Sequence, residues 1–220
     1  MNIPPTLTVL AGPNGAGKSY FSNFLKEQEL LYSQPINMDA LKEGINYTFI
    51  PNDYMRWELE ENRAVNRLFL SLCKEAIEEK KHFAFECNLR KDQLGCVELF
   101  EKAGYQLNLI FFWLDSIEIS RERVQIRHNE GGHLVGEESI RGNFSEGCRN
   151  LDYSVPDNHW NQVIFIDNSL ENRASGEILS LLLLINQGKL IYCSDRFFSK
   201  EREQYLPKLC KWIRKQQKES

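Results

Sequence analysis

The residues whose types and spacing point most directly to chemistry are Gly12, Pro13, Asn14, Gly15, Ala16, Gly17, Lys18 and Ser19. They fit G-x-x-x-x-G-K-[ST], the glycine loop that cradles phosphates. Glycines let the backbone curl until successive N–H groups point inward at a phosphate chain. A helix opening at the end of the loop adds the partial positive charge of its N-terminus. Lys18 is a mobile point charge able to reach the β- and γ-phosphates of a nucleotide, and the Ser19 hydroxyl is placed to ligate Mg²⁺. The bland alternative is a glycine-rich turn that binds nothing, and the strand, loop and helix pattern around the motif weighs against it.

Two acids follow at the ends of apolar runs. Residues 34–39 read as a short strand closing in Asp39, and residues 82–86 as another closing in Glu86. Ligands of open α/β sheets sit at the carboxyl ends of the strands. Asp39 can therefore face a γ-phosphate, and Glu86 can meet Mg²⁺, its water shell or a substrate hydroxyl. Each acid also has a structural reading as a helix cap. Residues 105–114 form a longer apolar run ending at Asp115, where the capping-box spacing of Asp115 to Glu118 favours a helix start over a metal ligand. A helix over 116–128 then carries Arg121, Arg123 and Arg127. Gly131-Gly132-His133 breaks it, and a second helix over 137–150 carries Arg141 and Arg149. Helix, glycine hinge, helix suits a lid over about 116–150 that closes on a triphosphate and keeps water out. Arg127 and Arg141 flank the hinge and are assigned to the transferring phosphoryl group. Arg121, Arg123 and Arg149 read as solvated surface. A last parallel strand over 161–169 ends in Asp167 and Asn168, which either border the nucleotide's base or form a turn.

The elements that must hold these residues follow from the pattern. Leu7 to Ala11 is apolar and β-branched, a buried strand. Tyr20, Phe21, Phe24 and Leu25 recur at helical spacing behind the loop, and Val65, Phe69, Leu72 and Ala76 mark a long helix over about 53–80. Residues 178–185 and 189–193, joined by Asn186-Gln187-Gly188, predict a hairpin, and 200–215 predict a single amphipathic helix. The expected fold is α/β of the P-loop NTPase and kinase type. It has a mostly parallel five-stranded sheet flanked by helices, a helical lid, and a C-terminal antiparallel hairpin plus helix over about 176–216. All of it forms one domain spanning 1–220.

At 220 residues and 42% hydrophobic content the chain can bury a sizeable core. A net charge of -4 argues against a general nucleic-acid binder. The longest apolar run, 178–185, is too short to span a bilayer. The first strand begins almost at Met1, so no leader peptide is read and the cytoplasm is the expected location. Six cysteines without C-x-x-C pairing, and four histidines without ligand spacing, predict free thiols rather than disulfides or zinc.

Together these segments resemble the zeta-toxin-like P-loop kinases, in particular the chromosomal relatives labelled predicted ABC-type ATPases. The resemblance rests on the glycine loop, Asn37-Met38-Asp39, Phe83-Ala84-Phe85-Glu86, Arg127 with Gly131-Gly132-His133, Ile140-Arg141, and Asp167-Asn168-Ser169. It runs in order across roughly the first 170 residues. It implies a kinase that uses ATP and Mg²⁺ on a sugar hydroxyl, in those toxins the 3′-hydroxyl of UDP-N-acetylglucosamine. By that resemblance Asp39 is the base that takes the hydroxyl proton, and Lys18 and Ser19 are the phosphate and Mg²⁺ contacts. Glu86 organises substrate or metal, and Arg127 and Arg141 stabilise the transferred phosphoryl group. Relatives often carry Thr-Thr after the acid, where this chain has Cys87-Asn88. They often carry an arginine run after the lid isoleucine, where this chain has Arg141-Gly142-Asn143. The implied partner is a small-molecule acceptor, and no paired antitoxin shows in the sequence. Two other readings stand beside this one: a nucleotide-driven switch or ATPase completed by a protein partner, and a kinase of a nucleotide, nucleoside or other metabolite. An ABC subunit would need a Leu-Ser-Gly-Gly-Gln type of loop, which the sequence lacks.

Overall fold

The computed structural model describes residues 4–43, 54–132, 135–157, 159–169 and 179–219. Strand β1 (Thr6–Ala11) is buried at every position and β3 (Gln106–Trp113) at nearly every one. Runs that are apolar on both faces belong in the middle of a parallel sheet covered by helices. With β2 (Phe83–Cys87), β4 (Gln162–Asp167), β5 (Ser180–Asn186) and β6 (Lys189–Cys193) they make a six-stranded sheet in the order β2-β1-β3-β4-β5-β6. Strands β2, β1, β3 and β4 run parallel, and β5 and β6 add antiparallel at one edge. The hairpin turns at Gln187 (φ 50) and Gly188 (φ 68), two positive values in succession, as a two-residue turn matched to strand twist requires.

The fold is the expected one, with its strands distributed differently. The hairpin adds antiparallel at the sheet edge as expected, and with four parallel strands it makes six strands rather than five. The strand expected over 34–39 shrinks to one parallel bridge, Ile36 with Phe85. Ile36 N donates to Ala84 O, and Glu86 N to Ile36 O, each at 2.9 Å. Pro35 offers no N–H to lengthen the pairing, and helix α2 (Met38–Glu43) begins two residues after Ile36.

The flanking helices are α1 (Lys18–Glu27), α3 (Tyr54–Glu78), α4 (Lys91–Lys102), α5 (Ile117–Asn129), α6 (Glu137–Ser154), α7 (Lys200–Tyr205) and α8 (Pro207–Glu219). The single helix expected over 200–215 is thus two. Pro207 cannot donate into the preceding turn, and Leu206, at φ -128 and ψ 49, is pushed out of the helical region. The cap of α5 is Ser116, whose hydroxyl accepts from Ile119 N, one residue later than the expected Asp115. The six cysteines are free thiols, with the Cys73 and Cys96 sulfurs 3.4 Å apart between α3 and α4. Among the described residues no helix is long and apolar enough to cross a membrane.

Candidate functional site

Strand β1 runs straight into the glycine loop, and α1 starts from Gly17 at φ 89. A Cβ on Gly17 would lie 2.7 Å from Asn168 Nδ2, and one on Gly12 would lie 2.4 Å from the Phe112 carbonyl oxygen. Space and positive φ both demand glycine there. The back of the loop is held by side chains from distant parts of the chain. Asn14 O accepts from Ser120 Oγ at 2.6 Å, Gly15 O from Arg123 Nη1 at 3.2 Å, and Ala16 O from Asn168 Nδ2 at 2.9 Å. Asn143 Nδ2 adds a bond to Asn14 Oδ1 at 2.8 Å. A peptide whose carbonyl is tied outward turns its N–H the other way. Tying the carbonyls of Asn14 and Ala16 outward leaves the amides of Gly15 and Gly17 to the cleft that those residues line, while that of Ala16 closes a turn on Pro13 O at 3.2 Å. This is a preformed nest for an anion.

Ser120, Arg123 and Asn143 were not among the residues singled out from sequence. Arg123, read there as solvated surface, spans from Gly15 O to Asn168 O, the latter at 2.6 Å. One signal was present in the sequence: positions 120, 123 and 127 lie on one face of a helix at i, i+3, i+7. Helix α5 is bolted to the glycine loop and is no free arm.

The opposite side of the cleft carries the acid. Ser19 Oγ donates to Glu86 Oε2 at 2.6 Å, and Asn37 Nδ2 donates to the same oxygen at 3.3 Å and to Ser19 Oγ at 3.4 Å. Asn37 Oδ1 accepts from Ala40 N at 3.4 Å, so Asn37 rather than Asp39 caps α2. Asp39 lies in the first turn of that helix, directly after two residues that line the cleft, and its side chain falls outside the described residues. Lys18 Nζ rests on Gly12 O at 2.7 Å, Pro13 O at 3.0 Å and Asn88 Oδ1 at 3.3 Å. Lys18, Ser19, Glu86 and Arg127 share the walls of one open cleft of about 350 Å³.

The remaining sequence candidates are placed elsewhere. Arg141 is exposed and pairs with Glu137 at 3.3 Å, away from the cleft walls. Glu137 also accepts from Arg121, and that bond, more than any other influence, holds its carboxyl below the usual range. His133 falls outside the described residues. Asp167 is 4% exposed, with its carboxylate on Arg202 at 2.6 Å and on Ser169 N at 2.9 Å, so of the Asp167-Asn168 pair it is Asn168 that reaches the glycine loop. Among the described residues no group of three or more His, Cys, Asp or Glu could hold a metal. A hydroxyl beside one carboxylate suits Mg²⁺ shared with phosphate oxygens and water, not an all-protein cage.

The sequence profile of the zeta toxin family matches residues 2–171. No curated protein matches the chain. Among solved structures, a chain of the AvrRxo1-ORF1:AvrRxo1-ORF2 complex with sulphate ions superposes with a TM-score of 0.63 at 14% identity, covering 93% of this chain and 63% of that one. The same pair with ATP gives 0.61 at 15% identity over 93% and 63%. A chain of the PezAT chromosomal toxin–antitoxin system of Streptococcus pneumoniae gives 0.56 at 13% identity over 98% and 85%. At these identities the likeness is one of fold. The present chain spans less than two thirds of the AvrRxo1 chain it matches.

Proposed function

Because the chain belongs to the zeta toxin family, we propose that it is an ATP-dependent phosphotransferase that moves the γ-phosphate to a hydroxyl of a small molecule. The observation that carries this reading is the single cleft in which Lys18, Ser19, Glu86 and Arg127 meet the amides of the glycine loop. The triphosphate enters along the loop, and Lys18 exchanges its present carbonyl partners for β- and γ-phosphate oxygens. Ser19, with Glu86 beside it, would hold Mg²⁺, which would supply neutralising charge for those oxygens. The acceptor hydroxyl attacks in line. A bond forms from its oxygen to the γ-phosphorus as the bond to the ADP oxygen breaks, and Asp39 takes the hydroxyl proton. Arg127 meets the negative charge on the transferring group from the lid side.

The finer reading, carried by the family resemblance, makes the acceptor a UDP-sugar such as UDP-N-acetylglucosamine and adds a protein antitoxin as partner. The alternative is a P-loop switch completed by a protein. Transfer of labelled γ-phosphate to a panel of UDP-sugars, nucleosides and small metabolites separates them. Asp39→Asn is expected to lower transfer by roughly 10²- to 10⁴-fold, the usual contribution of a positioned base, with ATP affinity nearly unchanged. Full transfer in that variant removes the base role. Slow hydrolysis without transfer, accelerated by a protein, favours the switch.

The brace behind the loop gives a second test. Arg123→Met keeps the length of the side chain but removes both guanidinium bonds, to Gly15 O and Asn168 O. Hydrogen bonds from charged donors contribute about 1.5–3 kcal/mol, so ATP affinity is expected to fall by roughly tenfold or more as the nest loosens. Titration calorimetry checks this, and unchanged affinity means the nest needs no brace.

A further inference from the structure

We propose that helix α8 is the face by which the protein lies against an anionic lipid bilayer, an inference that stands apart from the kinase reading. The helix has two sides. Leu209, Cys210 and Ile213 are buried against the core. On the opposite side Lys208, Lys211, Lys215 and Lys218 recur at i, i+3, i+7 and i+10, all exposed. That spacing puts them in one row about 15 Å long. A solvated helix face ordinarily mixes its charges. The face of α3 does so, with Arg63 on Glu60 at 2.8 Å and Lys74 next to Glu75. Helix α8 instead carries five cations and a single acid, Glu219, in a chain whose net charge is -4.

The acids that approach the row offset little of it. Glu203 takes Arg214, and Glu219 lies 3.7 Å from Lys215. Asp152 is buried and spends its carboxylate on Leu209 N at 2.8 Å. Among the described residues Lys211 and Lys218 have no acid partner. Like charges three and four residues apart destabilise a helix, so the row works against the element that displays it. An anionic surface relieves that repulsion. The composition of the row favours a bilayer over other polyanions. Lysine is a point charge that needs no fixed geometry, whereas the planar fork of arginine suits single phosphates and nucleic acid. The one arginine is held by Glu203 and sits over the Phe198 ring at 4.7 Å. Aromatic rings accompany the lysines. Partly buried Trp212 and the lysine stems line an open groove of about 570 Å³, and Lys208 Nζ lies 3.3 Å from the centre of the Tyr153 ring. Trp and Tyr settle at the headgroup level of a membrane, where one end of the ring is apolar and the other wet. Because the core takes the apolar side of α8, the contact is electrostatic and superficial. Acids elsewhere on the protein act only within a Debye length, about 8 Å at physiological salt.

The experiment is co-sedimentation with vesicles of phosphatidylcholine alone, and of equal parts phosphatidylglycerol and phosphatidylcholine. It uses the wild type, Lys211→Gln/Lys215→Gln/Lys218→Gln, and Lys211→Arg/Lys215→Arg/Lys218→Arg. A control removes as many cations elsewhere, Lys26→Gln/Arg67→Gln/Lys74→Gln. Wild type is expected to bind only the anionic vesicles, and to leave them at about 1 M salt, where the Debye length falls to about 3 Å. Each lysine near a charged bilayer contributes about 1 kcal/mol, roughly fivefold in partition. The triple glutamine variant is therefore expected to bind roughly 100-fold more weakly. The arginine variant and the control are expected to bind within severalfold of wild type. Thermal unfolding of all variants is expected to match wild type, since exposed charges contribute little to stability. A loss in the control as large as in the glutamine variant makes net charge decide and overturns the assignment to α8. No binding to anionic vesicles at low salt overturns the proposal outright. Single-stranded DNA or poly-glutamate bound more tightly than the vesicles gives the row to a soluble polyanion and overturns the bilayer.

Discussion

Lys18→Ala is expected to weaken nucleotide binding and slow transfer together, by roughly 10²-fold or more in kcat/KM, the scale seen when one preorganised charge stabiliser is lost. The size of the expected effect follows from where the side chain sits. The ammonium sits within hydrogen-bond reach of Gly12 O and Pro13 O, at the point where the glycine loop closes on itself. In the free protein it neutralises carbonyl dipoles that would otherwise face the phosphate path. On the proposed reading a bound nucleotide draws the same charge a short distance onto its β- and γ-phosphates, so little reorganisation is needed. Without it, the anionic tail meets the loop amides and the N-terminus of α1 alone. Calorimetric titration with ATP and steady-state transfer read the two losses separately, and unchanged ATP affinity would show that the glycine loop is not where the nucleotide sits.

Residues near one another along the chain were readable from the sequence. The strand before Gly12, the helix after Gly17 and the acid ending the Phe83–Glu86 run each depend on local pattern, and each is in place. The brace behind the loop was not readable, because its partners are far apart in the sequence. Ser120 reaches back 106 residues to Asn14, and Asn168 reaches back 152 to Ala16. No periodicity announces such pairs, and a polar side chain on a helix is usually solvated. The same blindness affected Asp167, whose place at a strand end suggested the cleft and whose partner, Arg202, was chosen by tertiary packing. Arg141 differs, since Glu137 stands four residues earlier on the same helix, a spacing the sequence does display. The break at Pro207 is different in kind. Proline cannot donate into a helix, so that boundary was written locally and the amphipathic stripe of 200–215 hid it.

Arg202→Met is expected to cost the most stability. Arg202 is 4% exposed, and its guanidinium contacts Asp167 Oδ2 at 2.6 Å, Asp115 Oδ1 at 3.1 Å and Arg196 O at 2.7 Å. Removing the cation leaves two carboxylates at the ends of β3 and β4, that of Asp167 almost wholly out of water. Breaking one side of a buried pair costs about 3–5 kcal/mol, and for a chain of this size that lowers Tm by roughly 6–20 °C. Replacing both partners, Arg202→Met with Asp167→Leu, is expected to recover most of the loss. A buried pair repays its desolvation poorly, and Arg202 Nε already lacks a partner among the described residues. The brace also reaches the site. Asp167 Oδ1 accepts from Ser169 N, Ser169 Oγ accepts from Asp115 N, and Asn168 between them holds Ala16 O. Arg202 lies beyond the family-matched stretch of 2–171, so a side chain of the C-terminal segment braces the strand ends that hold the glycine loop. Thermal unfolding and ATP titration on the wild type, the single variant and the double variant divide the roles. Stability and affinity restored together in the double variant make Asp167 a brace. Stability restored with affinity still lost gives its charge a place at the nucleotide. A single variant as stable as wild type means that the buried pair holds nothing together.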